Sequence, residues 1–296
     1  MKMKSLTLLS LLLIFPNCRN PYKRAHPEPI QKKSLSAIRE RFHYKKGEAP
    51  KISAHRGGTY PGYPENCLET MQRVARYGVS CFEIDIRETA DGKLVLLHDS
   101  RVDRTTTGTG LLEKKMYSEL EKLHLKDLNG NPTHFKIPLF STVLQWAKAH
   151  DLILMLDRKK PVLWPAIIGA VQSQNAESQC VIITYSAEEA QRVHHTHPHL
   201  FLSVPMRNEQ EFRWMMESGI PHGLMLAFTG TKLSPTSLYD KIHEQGIPTQ
   251  LGTLGNLDKS AAARGDAIYE KYIRDGIDIL ATDRPIEVAR VLGLSR

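Results

Sequence analysis

Nine short apolar runs punctuate the chain after residue 50, and amphipathic stretches separate most of them. The runs are Ile52–His55, Cys81–Ile86, Leu94–His98, Leu152–Asp157, Val181–Thr184, Leu200–Pro205, Gly223–Ala227, Ile247–Leu251 and Ile277–Thr282. Helical spacing fills the intervals at Cys67–Tyr77, Thr142–His150, Pro165–Gln174, Ala187–His195, Glu209–Ser218, Leu238–Gln245 and Ala263–Arg274. Regular strand-then-helix alternation implies a parallel sheet covered by helices. One interval breaks the rule: only seven residues, with the turn pair Asp91-Gly92, separate Ile86 from Leu94. A parallel crossover needs about a dozen residues, a hairpin two to five. Leu94–His98 is therefore expected to return antiparallel beside the second strand. Eight parallel strands remain, the number of a (β/α)8 TIM barrel. Residues 101–136 then become a small inserted subdomain above the end of the barrel where such folds carry function. Asn66, Glu69 and Gly78 read as cap, capping-box partner and stop of the first helix.

The 296 residues, 41% hydrophobic, suffice for one large core. The net charge of +8 does not indicate a nucleic-acid face, because from Lys51 onward 29 basic residues balance 29 acidic ones. The excess lies in Lys2 and Lys4 and in nine Lys/Arg against three Glu between Arg19 and Pro50. Residues 1–18 have a signal peptide's layout: a charged start, then an apolar stretch from Leu6 to Phe15 too short to span a bilayer. That stretch runs into Cys18 with no Ala-x-Ala site between, as in lipoprotein signals. The expectation is an exported protein, periplasmic or held at the membrane by a lipid on Cys18. Residues 19–50 would be a basic tether, with Leu35, Ile38 and Phe42 spaced for a short helix against the body. Residues 51–296 would form the barrel. With Cys18 acylated, Cys67, Cys81 and Cys180 are odd in number and read as buried thiols.

Chemistry gathers where the runs end. Glu83 and Asp85 stand two apart, so on a strand both carboxylates enter one space. Like charges held together there call for a cation, and hard oxygen ligands indicate Mg²⁺ or Ca²⁺. Asp157 closes another very apolar run and offers a third carboxylate, with Lys159 two residues on. His55 and His98 each follow an apolar run at the same end, and an imidazole pair beside a metal suits acid/base work near neutrality. Arg56 brings a fork for phosphate, and Gly57-Gly58 would let backbone N–H groups approach it.

The segments AHRGG, PEN, FEIDIRETADGKLVLLHD, DRTTTGTG, DRK and LATDRP closely resemble the glycerophosphodiester phosphodiesterases, from about Lys51 to Pro285. The resemblance implies a (β/α)8 barrel with an insertion after the His-Asp pair. It implies metal-dependent hydrolysis of a glycerophosphodiester to glycerol 3-phosphate and an alcohol, the substrate's own 2-hydroxyl attacking to give a cyclic phosphate that water opens. It also makes His55 and His98 the catalytic pair, Arg56 and Lys159 phosphate ligands, Glu83, Asp85 and Asp157 metal ligands, and Glu65 a support for Arg56 or a contact to metal or substrate. Two positions depart from the family pattern. Asp157 stands where Glu is usual, one methylene shorter, and TQLGTLGN replaces a tryptophan-containing segment near the last strands.

Two other readings compete: a phospholipase D-like enzyme acting on lysophospholipids or sphingomyelin, and a binding lipoprotein without turnover. The full set His55, Arg56, Glu83, Asp85 and His98 argues against the second. His194–His199 (HHTHPH) falls between a helix and the next strand, at the barrel's opposite end, and reads as surface histidine. Trp214-Met215-Met216 reads as helix packing, and Gly108-Thr109-Gly110 lacks the strand and helix of a nucleotide loop.

Overall fold

The computed structural model describes residues 32–294. The leader, Cys18 and the tether up to residue 31 lie outside the described residues. Among the described residues nine strands are present: β1 (Lys51–Ala54), β2 (Cys81–Glu88), β3 (Leu94–Leu96), β4 (Ile153–Arg158), β5 (Cys180–Ile183), β6 (Phe201–Pro205), β7 (Met225–Phe228), β8 (Thr249–Gly252) and β9 (Ile279–Thr282). Eight of them run parallel in the order β1-β9-β8-β7-β6-β5-β4-β2, and pairing of β1 with β2 closes the barrel. The ninth, β3, pairs antiparallel with the end of β2, Ile86 opposite Leu96. The seven-residue interval thus makes the expected hairpin.

Strand burial explains the apolar runs. β4 is buried from Ile153 to Asp157 and β6 throughout, as a parallel sheet covered on its outer face requires. The inserted segment has its own small core, in which Val102, Leu112, Leu120 and Leu125 pack on Val95, Leu97 and Cys67. Cys67, Cys81 and Cys180 are free and buried.

Some boundaries differ from expectation. A helix over Lys32–Phe42 puts Ile38 and Phe42 into the main core, with the Phe42 ring stacked 4.9 Å from that of Phe201. The folded body therefore starts well before Lys51. The expected helix Ala263–Arg274 is two helices, Asn256–Arg264 and Ile268–Arg274, because Gly265 between them sits at φ 109°. A last helix, Pro285–Val291, is too short for its periodicity to stand out in the sequence. Asn66 does not cap the first helix, Leu68–Ala75, which begins after Cys67 without a side-chain cap. Its amide is engaged elsewhere, in the site. Among the described residues no helix is long and apolar enough to cross a membrane.

Candidate active site

The acids meet because of register. Glu83 and Asp85 are alternate residues of β2, and Asp85 is the Cα partner of Asp157 on β4. One oxygen from each of Glu83, Asp85 and Asp157 lies within 4.8 Å of the others. Three buried carboxylates cannot share so small a space uncompensated. Lys159 Nζ answers two of them, 2.7 Å from Asp85 Oδ1 and 2.6 Å from Asp157 Oδ2. The Tyr185 hydroxyl donates to Asp157 Oδ2 at 2.8 Å, and the Arg56 backbone N–H donates to Glu83 Oε2 at 2.7 Å. Asn66 holds Asp85 at two points: Nδ2 donates to Oδ2 at 2.6 Å, and Oδ1 accepts the Asp85 backbone N–H at 2.9 Å.

These surroundings drive neighbouring carboxyls apart. Burial, then the charge on Asp85, pushes the Glu83 carboxyl up to about 8. Burial would raise Asp85 too, but the Lys159 charge and the Asn66 amide outweigh it and hold Asp85 below the ordinary range. Asp157 Oδ1 is buried and accepts no hydrogen bond, and Asp85 Oδ1 has only the Lys159 ion contact, without hydrogen-bond alignment. Hard oxygen donors with lone pairs to spare fit a divalent cation of the Mg²⁺ or Ca²⁺ kind.

The two histidines flank this cluster on different supports. His55 opens the turn His55–Gly57 directly after β1, where Arg56 takes a left-handed φ of 50°. Its Nδ1 lies 2.6 Å from Asp283 Oδ1, just beyond β9, the neighbour of β1. Its Nε2 stands 4.0 Å from Glu83 Oε2. Burial works against a charged His55 ring, yet the Asp283 hydrogen bond and the Glu83 charge carry its pKa above the ordinary value. His98 follows β3, and its Nδ1 lies 2.7 Å from Asp99 Oδ1. In each ring Nδ1 is committed to a carboxylate, so Nε2 is the nitrogen left to exchange a proton.

Arg56 is held from Nη1 by Glu65 at 3.1 and 3.3 Å. Arg104, from the inserted segment, donates to both oxygens of Glu65 and both oxygens of Asp99. Of the two glycines expected to cradle phosphate, Gly58 gives its N–H to the His55 carbonyl at 2.9 Å. A Cβ there would stand about 3.0 Å from Val74 and Pro285, at φ 84°. Close packing and turn geometry, not anion binding, explain that glycine.

A cavity of about 300 Å³ opens beside the cluster. His55, Glu83 and Asp157 are among its lining residues, as are Ile183, Phe228 and Leu254. Gln250 and Leu254 both belong to TQLGTLGN, so the departure seen in the sequence gives this wall one amide and one apolar side chain. Asp283, Asp99, Arg104 and Tyr185 are the residues that sequence reasoning left without a role, and Asn66 was read only as a helix cap. Asp99 and Arg104 had a local signal, an acid beside a histidine and an arginine shortly after it. Asp283 had none, because only barrel closure brings it in, and Tyr185 had none, because its reach to Asp157 depends on how β5 sits against β4. The His194–His199 segment covers the last turn of the helix Ala187–Thr196 and the loop that leads to the start of β6, at the other end of the barrel. Among the described residues, Glu83, Asp85 and Asp157 are the only three or more His, Cys, Asp or Glu side chains close enough to share one ion. Met215 is buried and Trp214 half exposed on the helix Glu209–Met216.

The profile of the Glycerophosphoryl diester phosphodiesterase family matches residues 55–204, just over half of the chain. A glycerophosphodiester phosphodiesterase from Caldanaerobacter subterraneus is 30% identical over 159 residues, covering 52% of this chain and 65% of that protein. An uncharacterized Bacillus subtilis protein, YqiK, is 28% identical with the same coverage on both sides. The chain thus spans slightly less than two thirds of these relatives. A crystal structure of a glycerophosphoryl diester phosphodiesterase from Parabacteroides distasonis superposes with a TM-score of 0.83 at 32% identity, covering 88% of this chain and 91% of that one. A phosphodiesterase from Oleispira antarctica, solved in complex with the product sn-glycerol-3-phosphate, shares the fold at 18% identity, with a TM-score of 0.64 over 83% of this chain and 97% of its own. The profile match and the Parabacteroides superposition lead to one conclusion: the chain belongs to the glycerophosphoryl diester phosphodiesterase family.

Proposed function

We propose that this protein hydrolyses glycerophosphodiesters to glycerol 3-phosphate and an alcohol, using Mg²⁺ or Ca²⁺. One observation carries the reading: two imidazoles, each oriented through Nδ1 by a carboxylate, flank a cluster of three buried acids. Glu83, Asp85 and Asp157 would hold the cation, which supplies a Lewis acid for the phosphoryl oxygens and eases ionisation of an attacking hydroxyl. Arg56 and Lys159, the cations beside the cluster, bind the phosphate oxygens. One of His55 and His98 accepts the proton of the attacking hydroxyl at Nε2, and the other delivers a proton to the departing alcohol oxygen. Asp283 and Asp99 keep the rings in the tautomer and orientation this exchange requires. The product named for the Oleispira antarctica neighbour agrees with this substrate class.

The test is release of glycerol 3-phosphate from glycerophosphocholine, run beside choline release from lysophosphatidylcholine. Activity on the first substrate, abolished by chelation and restored by Mg²⁺ or Ca²⁺, is expected. Turnover of the lysolipid alone would favour a phospholipase D-like enzyme, and turnover of neither a binding protein. We also propose that the protein is exported and held at the membrane by a lipid on Cys18, with the basic residues behind it assisting on anionic lipid. Cys18→Ser should release active enzyme into the soluble fraction; a wild type already soluble after export would remove the anchor.

A further inference from the structure

We propose that Arg104 is a positioning residue through which the inserted segment sets both the phosphate-binding arginine and one proton-transferring histidine. The inference rests on the function proposed above. Arg104 donates from Nη1 to Glu65 Oε2 at 2.9 Å and from Nη2 to Glu65 Oε1 at 2.8 Å. It donates from Nε to Asp99 Oδ2 at 2.6 Å and from Nη2 to Asp99 Oδ1 at 3.0 Å. Four of the five guanidinium N–H groups are therefore spent on two carboxylates, and Arg104 is a bracket more than a substrate ligand. Each carboxylate passes the constraint on, Glu65 to Arg56 at 3.1 Å and Asp99 to His98 at 2.7 Å.

Charge and geometry both need this bracket. Glu65 is a buried carboxylate between two guanidinium groups. With Arg104 present, only part of its charge falls on Arg56, which keeps its attraction for a phosphate. Without Arg104, Arg56 alone would have to neutralise Glu65. Asp99 is the chain neighbour of His98, in the bend that follows β3. The carboxylate turns back onto its neighbour's ring with both of its oxygens fixed by Arg104. A planar fork can hold two carboxylates at set angles, which the single ammonium of lysine cannot. Arg104 is half exposed, so its ion pairs add little to stability and mainly fix geometry.

The experiment compares wild type, Arg104→Ala and Arg104→Lys in steady-state hydrolysis of glycerophosphocholine, with melting temperatures, and repeats Arg104→Ala in a His98→Ala background. Arg104→Ala should lower kcat by ~10- to 100-fold and raise KM several-fold, the scale for groups that orient others. Arg104→Lys should recover KM better than kcat, and both should melt within a few degrees of wild type. In the His98→Ala background the further kcat loss should shrink to about threefold or less, because the histidine through which Arg104 acts is gone. Wild-type kinetics in Arg104→Ala, or a full multiplicative loss in the double variant, would overturn the proposal. If Arg104→Ala unfolds, Arg104→Lys carries the test. Nitrogen-15 spectra of the His98 ring provide a readout independent of turnover: its tautomer signals should broaden or shift in Arg104→Ala, and an unchanged ring would refute the link. A wild type inactive on glycerophosphocholine but with that spectral change would defeat the proposed reaction and leave the bracket standing.

Discussion

Replacing Asn66 by alanine removes both hydrogen bonds that hold Asp85, in a setting where neither partner can turn to water. Asn66 and Asp85 are each 1% exposed. The Asp85 backbone N–H and its Oδ2 would both lose a partner, at roughly 1–3 kcal/mol for each buried group left unsatisfied. Alanine would also inherit a backbone at φ 52°, a left-handed conformation that asparagine tolerates and alanine resists by about 1–2 kcal/mol. The sum is roughly 3–8 kcal/mol, a large part of the ~5–15 kcal/mol that holds an ordinary protein together. For a chain of this size that is a fall in Tm of roughly 6 °C or more, measured by circular dichroism in chelator. Asn66→Gly keeps the left-handed turn without strain and should recover about 1 kcal/mol of the loss. Asn66→Asp restores the acceptor but sets a second carboxylate against Asp85, so its deficit should narrow as the pH falls. An Asn66→Ala protein that melts within about 2 °C of wild type would refute the reasoning, and Asn66 would then be no more than a turn residue.

His55→Ala and His98→Ala should each lower turnover at least about a hundredfold with the fold intact, and wild-type rates in either would remove that imidazole from the reaction. Asp157→Asn should weaken metal binding by calorimetry less than Glu83→Gln does, because the aspartate at 157 is shared with Lys159 and Tyr185; a titration identical to wild type would take Asp157 out of the metal shell. In metal-free protein, Glu83 has a folded value of about 8 against an ordinary 4.5, so the folded chain keeps a proton that the unfolded chain has released. That contribution is complete below pH 4.5 and is lost as the pH rises to about 8. Melting temperatures in chelator should therefore fall from pH 5 to pH 8 and recover when Mg²⁺ or Ca²⁺ is added, and a rising or flat series without metal would contradict the assignment.

The barrel was legible because its evidence is periodic: apolar runs at strand length, helical spacing between them, and one interval too short for a crossover. The cluster was legible for the same reason, since alternate residues of a strand share a face. Asn66 was misread because an asparagine just ahead of a helix looks the same whether it caps that helix or reaches across to a strand. Only burial of Asp85 decides between them, as an unanswered backbone N–H there would cost more than an open helix end in contact with water. Asp283 escaped notice because its partner lies at the other end of the chain, and Tyr185 because a tyrosine after an apolar run carries no sign of the acid on the neighbouring strand. Gly58 was assigned to phosphate on residue type alone, whereas its left-handed φ and the crowding by Val74 and Pro285 give it a packing reason.

The two histidines differ in when their surroundings come into being. His98 finds its carboxylate one residue away, in a hairpin and insertion that can form while most of the chain is still unmade. His55 must wait for an aspartate 228 residues further on, delivered only when the last strand docks against the first. Ring closure of that span comes late, because it needs the longest loop in the barrel to be brought together. A growing chain can thus carry nearly every acid, arginine and histidine of the site and still hold one of its imidazoles unaligned. A chain that ends anywhere before β9 would carry its three clustered acids without the aspartate that aligns His55 beside them.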